Sequence, residues 1–107
     1  MNENDIELVE GSGNVFRDFG DPEADLKHAK AVVAGRIIAV LDARSLSVRR
    51  ASALTRFAAA DFSRVRNADL RRFTLDRLMK MLASLDADIR VTIQIESGDE
   101  GKTALAT

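Results

Sequence analysis

The side chains with the clearest chemical use in this sequence are arginines, which are concentrated between residues 44 and 80. That segment contains ten basic residues, nine of them Arg, and three acidic ones, so it carries a net charge of +7. An arginine presents a planar fork of donors that fits phosphate oxygens and the edge of guanine. A solvated helix face is also rich in charge, but an imbalance of this size favours a surface that binds a polyanion.

The opposite charge collects at the start of the chain. Residues 1–25 contain eight acidic residues and one basic residue, a net charge of −7, whereas the whole chain has a net charge of −1. We interpret residues 1–24 as an acidic arm with little regular structure. Its adjacent apolar pair, Val15 and Phe16, is expected either to contact a basic protein partner or to pack on the protein's own first helix.

Composition argues against catalysis. The chain has 107 residues, no Cys, Trp or Tyr, and a single His, His28. Disulfides, thiolate metal sites and Cys nucleophiles are therefore excluded, and one His is too little for a metal site or a catalytic triad. The Gly-Ser-Gly at residues 11–13 lacks the strand and the Lys of a phosphate loop. We expect a protein that is not an enzyme and that binds no metal and no cofactor.

Length and hydropathy point to a small protein without a membrane partner. A chain of 107 residues corresponds to one domain. No apolar run approaches the roughly 20 residues that a membrane span needs. No signal-peptide pattern follows the acidic start of the chain, so we expect a cytoplasmic location.

Hydrophobic spacing predicts a mainly α fold, a compact bundle of four to five helices followed by one strand. The helices are expected at Asp25 to about Arg44, Val48–Leu54, about Ala59–Asn67, and from Leu75 to about Leu85. Alternating apolar residues then indicate a half-buried strand over Ile89–Ile95. We assign residues 25–96 to one folded domain and residues 97–107 to a flexible tail.

Local signals support these helix boundaries. Ser47 and Thr74 are suited to cap the second and the fourth helix. Asn67 and Ala68 are expected to end the third helix, and Asn tolerates left-handed backbone geometry well. Gly35 interrupts the first helix, and a close packing contact would explain it. Leu26 is expected on the buried stripe of that helix.

Residues 47–67 are typical of a helix-turn-helix, in which two short helices are joined by a three- or four-residue turn. The residues expected to face inward are Ala51, Leu54, Phe57, Phe62 and Val65. A helical hairpin without a role in DNA binding would show the same spacing. The polar and basic residues on the outer face favour DNA, since a major groove about 12 Å wide admits one helix.

Four stretches carry a resemblance to a known family. They are GSGNVFRDFG at residues 11–20, RIIAVLDARSLS at 36–47, DFSRVRNADLRRFTLDRLMKML at 61–82, and DIRVTIQI at 88–95. The chain resembles the Xre-type helix-turn-helix regulators, and specifically the HigA-like antitoxin branch. The resemblance implies a dimeric repressor, encoded in many cases beside a toxin that cleaves messenger RNA.

The sequence departs from the family pattern at the turn. Members usually have Gly where this chain has Arg56, so the turn is expected to adopt a conformation that a non-glycine residue accepts. Ala58, Ala59 and Ala60 replace the usual Ser or Thr followed by Gln, which removes a cap and an adenine-reading amide. Base reading then depends on Ser63 and Arg64, with methyl contacts to thymine from Ala59 or Ala60.

The predicted DNA-binding residues are Ser47, Arg49, Arg50, Ala59, Ala60, Ser63, Arg64, Arg66, Asn67, Arg71 and Arg72. The predicted dimerisation residues are Ile89, Val91, Ile93 and Ile95, because a lone strand needs a partner and antiparallel self-pairing supplies one.

Two functions of different classes remain open. In the first, the chain is a dimeric regulator, and in the simplest case an autorepressor, that reads a palindromic operator in double-stranded DNA. In the second, it is mainly an antitoxin that neutralises a basic ribonuclease toxin encoded nearby, with DNA binding secondary. The +7 segment favours the first and the acidic arm favours the second.

Overall fold

Four helices form the part of the chain that the structure, a computed structural model, describes, which is residues 23–96. They are α1 (Ala24–Ala43), α2 (Val48–Thr55), α3 (Ala59–Arg66) and α4 (Leu75–Leu85). The predicted mainly helical fold is confirmed, and each boundary lies within a residue or so of its predicted place. None of these helices is long and apolar enough to cross a membrane.

The core lies between the long helix α1 and the three shorter helices. Val33, Ile37 and Leu41 on α1 follow the spacing of one helix face and are buried. Leu78 and Leu82 on α4 pack in the same apolar cluster. The remaining buried members of that cluster are Ala34, Ala51, Phe62, Val65, Phe73, Met81 and Leu85. No polar or charged residue is fully buried in residues 23–96.

Side-chain caps start two of the helices where the sequence predicted them. The Ser47 hydroxyl accepts a hydrogen bond of 3.1 Å from the main-chain N–H of Arg50 at the start of α2. The Thr74 hydroxyl accepts one of 3.1 Å from the N–H of Arg77 at the start of α4. Each bond satisfies a donor that the first helical turn leaves without a partner.

Some packing predictions are wrong. Leu26 and Leu54 were expected to face inward, but they are 40% and 52% exposed. Periodicity placed each of them on the apolar stripe, yet no helix of residues 23–96 covers that part of α1 or α2. A Cβ added at Gly35 would meet nothing within 4 Å, so the glycine does not serve a close contact.

Helix α3 ends at Asn67 and Ala68 as predicted, but the left-handed residue is not Asn67. Asn67 has φ −92°, and the left-handed residue is Ala68, with φ 59°. The main-chain N–H of Asp69 bonds to the carbonyl of Arg64 at 2.9 Å. This bond closes the end of the helix around Ala68.

The predicted strand over Ile89–Ile95 is absent from the single chain. A strand needs a hydrogen-bonded neighbour, and residues 23–96 contain no second extended segment. Ile89 and Val91 pack against the core, whereas Ile93 and Ile95 are 65% and 90% exposed. The two ends of this segment therefore have different surroundings.

Residues 1–22 and 97–107 lie outside the described part of the chain. Three predictions therefore concern residues that the structure does not describe: the acidic arm, the role of Val15 and Phe16, and the C-terminal tail.

Candidate nucleic-acid interface

Helices α2 and α3 are joined by a turn of three residues, Arg56, Phe57 and Ala58. The Thr55 hydroxyl donates a hydrogen bond of 2.8 Å to the carbonyl of Ala51 and accepts one of 3.2 Å from the N–H of Phe57. Ala51 itself is fully buried. The turn is thus short and hydrogen-bonded, and the helix-turn-helix predicted from the spacing is confirmed.

Arg56 adopts a left-handed conformation, with φ 73° and ψ 3°. Its main-chain N–H bonds to the carbonyl of Ser52 at 2.8 Å and so ends α2. The expectation that the turn would change to suit a non-glycine residue is wrong. The turn keeps the geometry that favours glycine, and an L side chain there costs about 1–2 kcal/mol.

Helix α3 has one buried face and one exposed face. Phe62 and Val65 are fully buried, three residues apart. Ala60, Ser63 and Asn67 are exposed, and they follow the opposite face at spacings of three and four. Ala59 is half-buried. Three of the predicted DNA-binding residues, Ala60, Ser63 and Asn67, therefore lie on one exposed face of α3.

The N-terminus of α3 has no side-chain cap, because its first flanking residue is Ala58. Asp61 lies in the first turn, where a negative charge interacts favourably with the helix dipole. Asp61 thereby compensates in part for the missing cap.

Asp61 also binds two arginines. Its Oδ1 atom lies 3.1 Å from Nη1 of Arg64, and its Oδ2 atom lies 2.8 Å from Nη2 of Arg77. The guanidinium of Arg77 stands 5.1 Å from the centre of the Phe57 ring. The cluster of Phe57, Asp61, Arg64 and Arg77 connects the turn, α3 and α4.

Arg77 is a residue of this surface that the sequence reasoning missed. It lies 16 positions beyond Asp61, and no local pattern pairs the two residues. The fold brings them together because α4 packs on α1 and α2, which places Arg77 in its first turn within reach of Asp61. The one sequence signal was the cap at Thr74, which fixes where α4 begins.

Two other predicted DNA-binding arginines also have acidic neighbours. Nη2 of Arg66 lies 2.8 Å from Oδ1 of Asp42 on α1. Nε of Arg71 lies 3.7 Å from Oδ1 of Asp69. Such exposed pairs contribute about 1 kcal/mol or less, so a phosphate can replace the carboxylate.

Three predicted arginines, Arg49, Arg50 and Arg72, are exposed, and their guanidinium groups have no ion pair or hydrogen bond within residues 23–96. Arg49 and Arg50 lie in the first turn of α2, which has no acidic residue. A cation there is disfavoured by the helix dipole by about 0.3–1 kcal/mol. Their positions are unfavourable for stability and suitable for an external anion.

The geometry suits a helix that enters a groove. Helix α3 has an exposed face, and both α2 and the loop that follows α3 carry exposed arginines without an ion pair. Within residues 23–96, no group of three or more His, Cys, Asp or Glu could hold a metal ion. The predicted dimerisation residues, Ile89 to Ile95, follow α4 and are not part of α2, α3 or their turn.

This arrangement defines the class of helix-turn-helix DNA-binding proteins. A family model described as a helix-turn-helix domain matches residues 15–94, about three quarters of the chain. The chain belongs to this family, whose domain is that of a DNA-binding regulator. No curated protein and no solved structure matches the chain.

Proposed function

We propose that the protein is a dimeric, sequence-specific DNA-binding repressor that inserts α3 into the major groove. The observation that carries the proposal is the exposed face of α3, together with the exposed and unpaired Arg49, Arg50 and Arg72 of the same helix-turn-helix and the loop after it. Arginines without an internal partner gain most from a phosphate, because no existing ion pair has to be broken. Ala60 and Ser63 leave enough space for a close approach of the helix to base edges.

The side chains divide into two groups. Arg49, Arg50 and Arg72 contact phosphates, and the ion-paired Arg66 and Arg71 join them once phosphate replaces their carboxylate partners. Ser63 and Arg64 contact base edges, because Ser63 lies on the exposed face of α3 and Arg64 follows it, whereas Arg66 is turned toward Asp42 of α1. Phosphate contacts position the protein, and base contacts determine the sequence that it prefers.

The dimer forms through the segment over Ile89–Ile95. Ile93 and Ile95 are exposed in the single chain, and an apolar row with unpaired main-chain groups favours a second copy of itself. Antiparallel pairing satisfies one edge of each segment and is compatible with two-fold symmetry. Two copies of α3 about 34 Å apart would then read a palindromic operator, in the simplest case that of the protein's own operon.

The test is selection of binding duplexes from a random-sequence pool by the purified full chain, followed by anisotropy titration. We expect enrichment of a palindromic sequence over a scrambled duplex of equal length. With roughly 6–10 phosphate contacts for a dimer, affinity should fall about 10³–10⁵-fold between 50 and 200 mM salt. A chain that enriches no sequence and binds the scrambled duplex equally well would contradict the proposal.

A second candidate function rests on the net charge of −7 in residues 1–25 and on the HigA-like resemblance. In this reading the protein is an antitoxin whose arm binds a basic ribonuclease, with Val15 and Phe16 as the apolar anchor. Acidic side chains would speed the encounter with a basic partner.

Deletion of residues 1–20 separates the two functions. The truncated chain should lose affinity for the small basic protein encoded beside it while keeping its affinity for the selected duplex. Unchanged affinity for that protein would exclude the arm from the interaction. Loss of both affinities together with loss of helical circular dichroism would show that residues 1–20 are needed for folding.

A further inference from the structure

We infer that Arg77 is a positioning residue for DNA recognition: it neutralises Asp61, so that Arg64 can leave that carboxylate and reach the DNA. The inference rests on the proposed function. The inference extends the proposed function, because Arg77 lies on α4, outside the helix-turn-helix, and acts without touching DNA.

The geometry provides one arginine for each carboxylate oxygen. Arg64 binds Oδ1 of Asp61 at 3.1 Å, and Arg77 binds Oδ2 at 2.8 Å. Both contacts can exist at once because they use different oxygens. If Arg64 moves away, the contact between Arg77 and Asp61 is unaffected.

The two arginines are held to different degrees. The main-chain N–H of Arg77 bonds to the Thr74 cap, and its guanidinium stands over the Phe57 ring at 5.1 Å. A guanidinium over an aromatic face gains further attraction. Arg64 has the carboxylate of Asp61 as its one side-chain partner within residues 23–96. Arg64 is therefore the arginine that is free to exchange partners.

The Asp61 carboxylate needs a counter-ion at all times because it is largely buried. The Asp61 side chain is 14% exposed, so an unpaired charge there would lose most of its hydration. With Arg77 present, the departure of Arg64 leaves a paired carboxylate. Without Arg77, Arg64 would be the remaining counter-ion and would be retained on Asp61 in competition with the base.

The test is a double-mutant cycle of Arg77→Gln and Asp61→Asn in the full chain, measured as affinity for the duplex selected by the wild type. Arg77→Gln should weaken binding about tenfold in the wild-type background. In the Asp61→Asn background, Arg77→Gln should weaken the affinity for the duplex less than about threefold, because no carboxylate remains to retain Arg64. Lys80→Gln is the matched control, since it removes one charge from α4 in an exposed pair with Asp76.

An equal loss from Arg77→Gln in both backgrounds would overturn the inference and make Arg77 a direct phosphate contact. No loss in either background would also overturn it. A wild-type chain that selects no duplex would instead contradict the proposed function, before any variant is made.

A second measurement covers the case in which Asp61→Asn does not fold, as judged by circular dichroism. Arg64→Ala should weaken binding in the wild type but have little further effect in Arg77→Gln, where Arg64 is already retained on Asp61. An undiminished effect of Arg64→Ala in that background would show that Arg64 reaches DNA without help from Arg77.

Discussion

The guanidinium of Arg44 donates a hydrogen bond from Nη1 to the main-chain carbonyl oxygen of Leu85, at 2.6 Å. Arg44 ends α1 and Leu85 is the last residue of α4, so this bond joins the ends of two core helices. It also places a positive charge at the C-terminus of α4, where the helix dipole favours a cation. One arginine of the +7 segment therefore has an architectural role.

Arg44→Gln should lower the free energy of unfolding by about 1 kcal/mol, because the carbonyl of Leu85 loses a charged donor. Urea unfolding followed by circular dichroism measures this. Arg36→Gln is the matched control, since Arg36 on α1 makes no ion pair or hydrogen bond within residues 23–96. Equal losses in the two variants would show that the bond to Leu85 contributes nothing specific.

Arg64→Ala should cost on the order of 1–3 kcal/mol in binding and flatten the preference at one base pair of each half-site. The physical reason is that a base contact carries sequence information, which a phosphate contact does not. Anisotropy titration against a set of singly substituted duplexes measures both effects. Weaker binding with the sequence preference intact would make Arg64 a phosphate contact.

Arg56→Gly should raise the free energy of unfolding by up to about 1 kcal/mol, since glycine accepts a positive φ without steric cost. Arg56→Ala removes the same charge and keeps the Cβ, so it should give no such gain. Thermal unfolding of the two variants compares them directly. A gain of equal size in both would mean that charge, and not backbone conformation, is responsible.

Gly35→Ala should stabilise the protein by about 0.5–1 kcal/mol, because a Cβ at this exposed helical position meets no neighbour. The reciprocal change Ala39→Gly, at another exposed position of α1, should destabilise it by a similar amount. Both are measured by urea unfolding. Destabilisation by Gly35→Ala would reveal a partner for this face of α1 that residues 23–96 do not provide.

Ile93→Asp should convert the proposed dimer into a monomer and greatly weaken binding to a palindromic duplex. Ile93 is 65% exposed in the single chain, so the fold of the monomer should not suffer. Thr92→Asp places the same charge on the alternate side of the segment and should leave the dimer intact. Light scattering after size exclusion gives the mass, and an Ile93→Asp variant that stays dimeric would place the interface elsewhere.

Local signals were enough to predict the helices. Residue type and position identify Ser47 and Thr74 as caps, and the apolar spacing of α1 and α4 predicts most of the buried face of each helix, although not the exposure of Leu26. The exposure of Leu54 could not be predicted, because periodicity identifies a stripe without showing what covers it. The segment around Ile93 has strand-like alternation, but a ladder depends on a partner strand, and residues 23–96 contain none.

The outline of the candidate site was predictable and its internal pairing was not. Arg49 and Arg64 could be assigned to a basic surface from composition and helix period alone. The contact of Asp61 with Arg77 depends on how α3 and α4 are placed relative to each other. The left-handed Arg56 was missed because residue type argued against the conformation that the two flanking helices impose.

The division of α3 into a buried and an exposed face has a consequence for how the protein could change over evolutionary time. Phe62 and Val65 hold the helix in place, while Ala60 and Ser63 contribute nothing to the core. If α3 enters the major groove as proposed, new side chains at those two positions would alter the preferred DNA sequence with little penalty in folding. Because the residues there are small, they can be replaced by larger side chains, and related regulators could in this way come to prefer different DNA sequences.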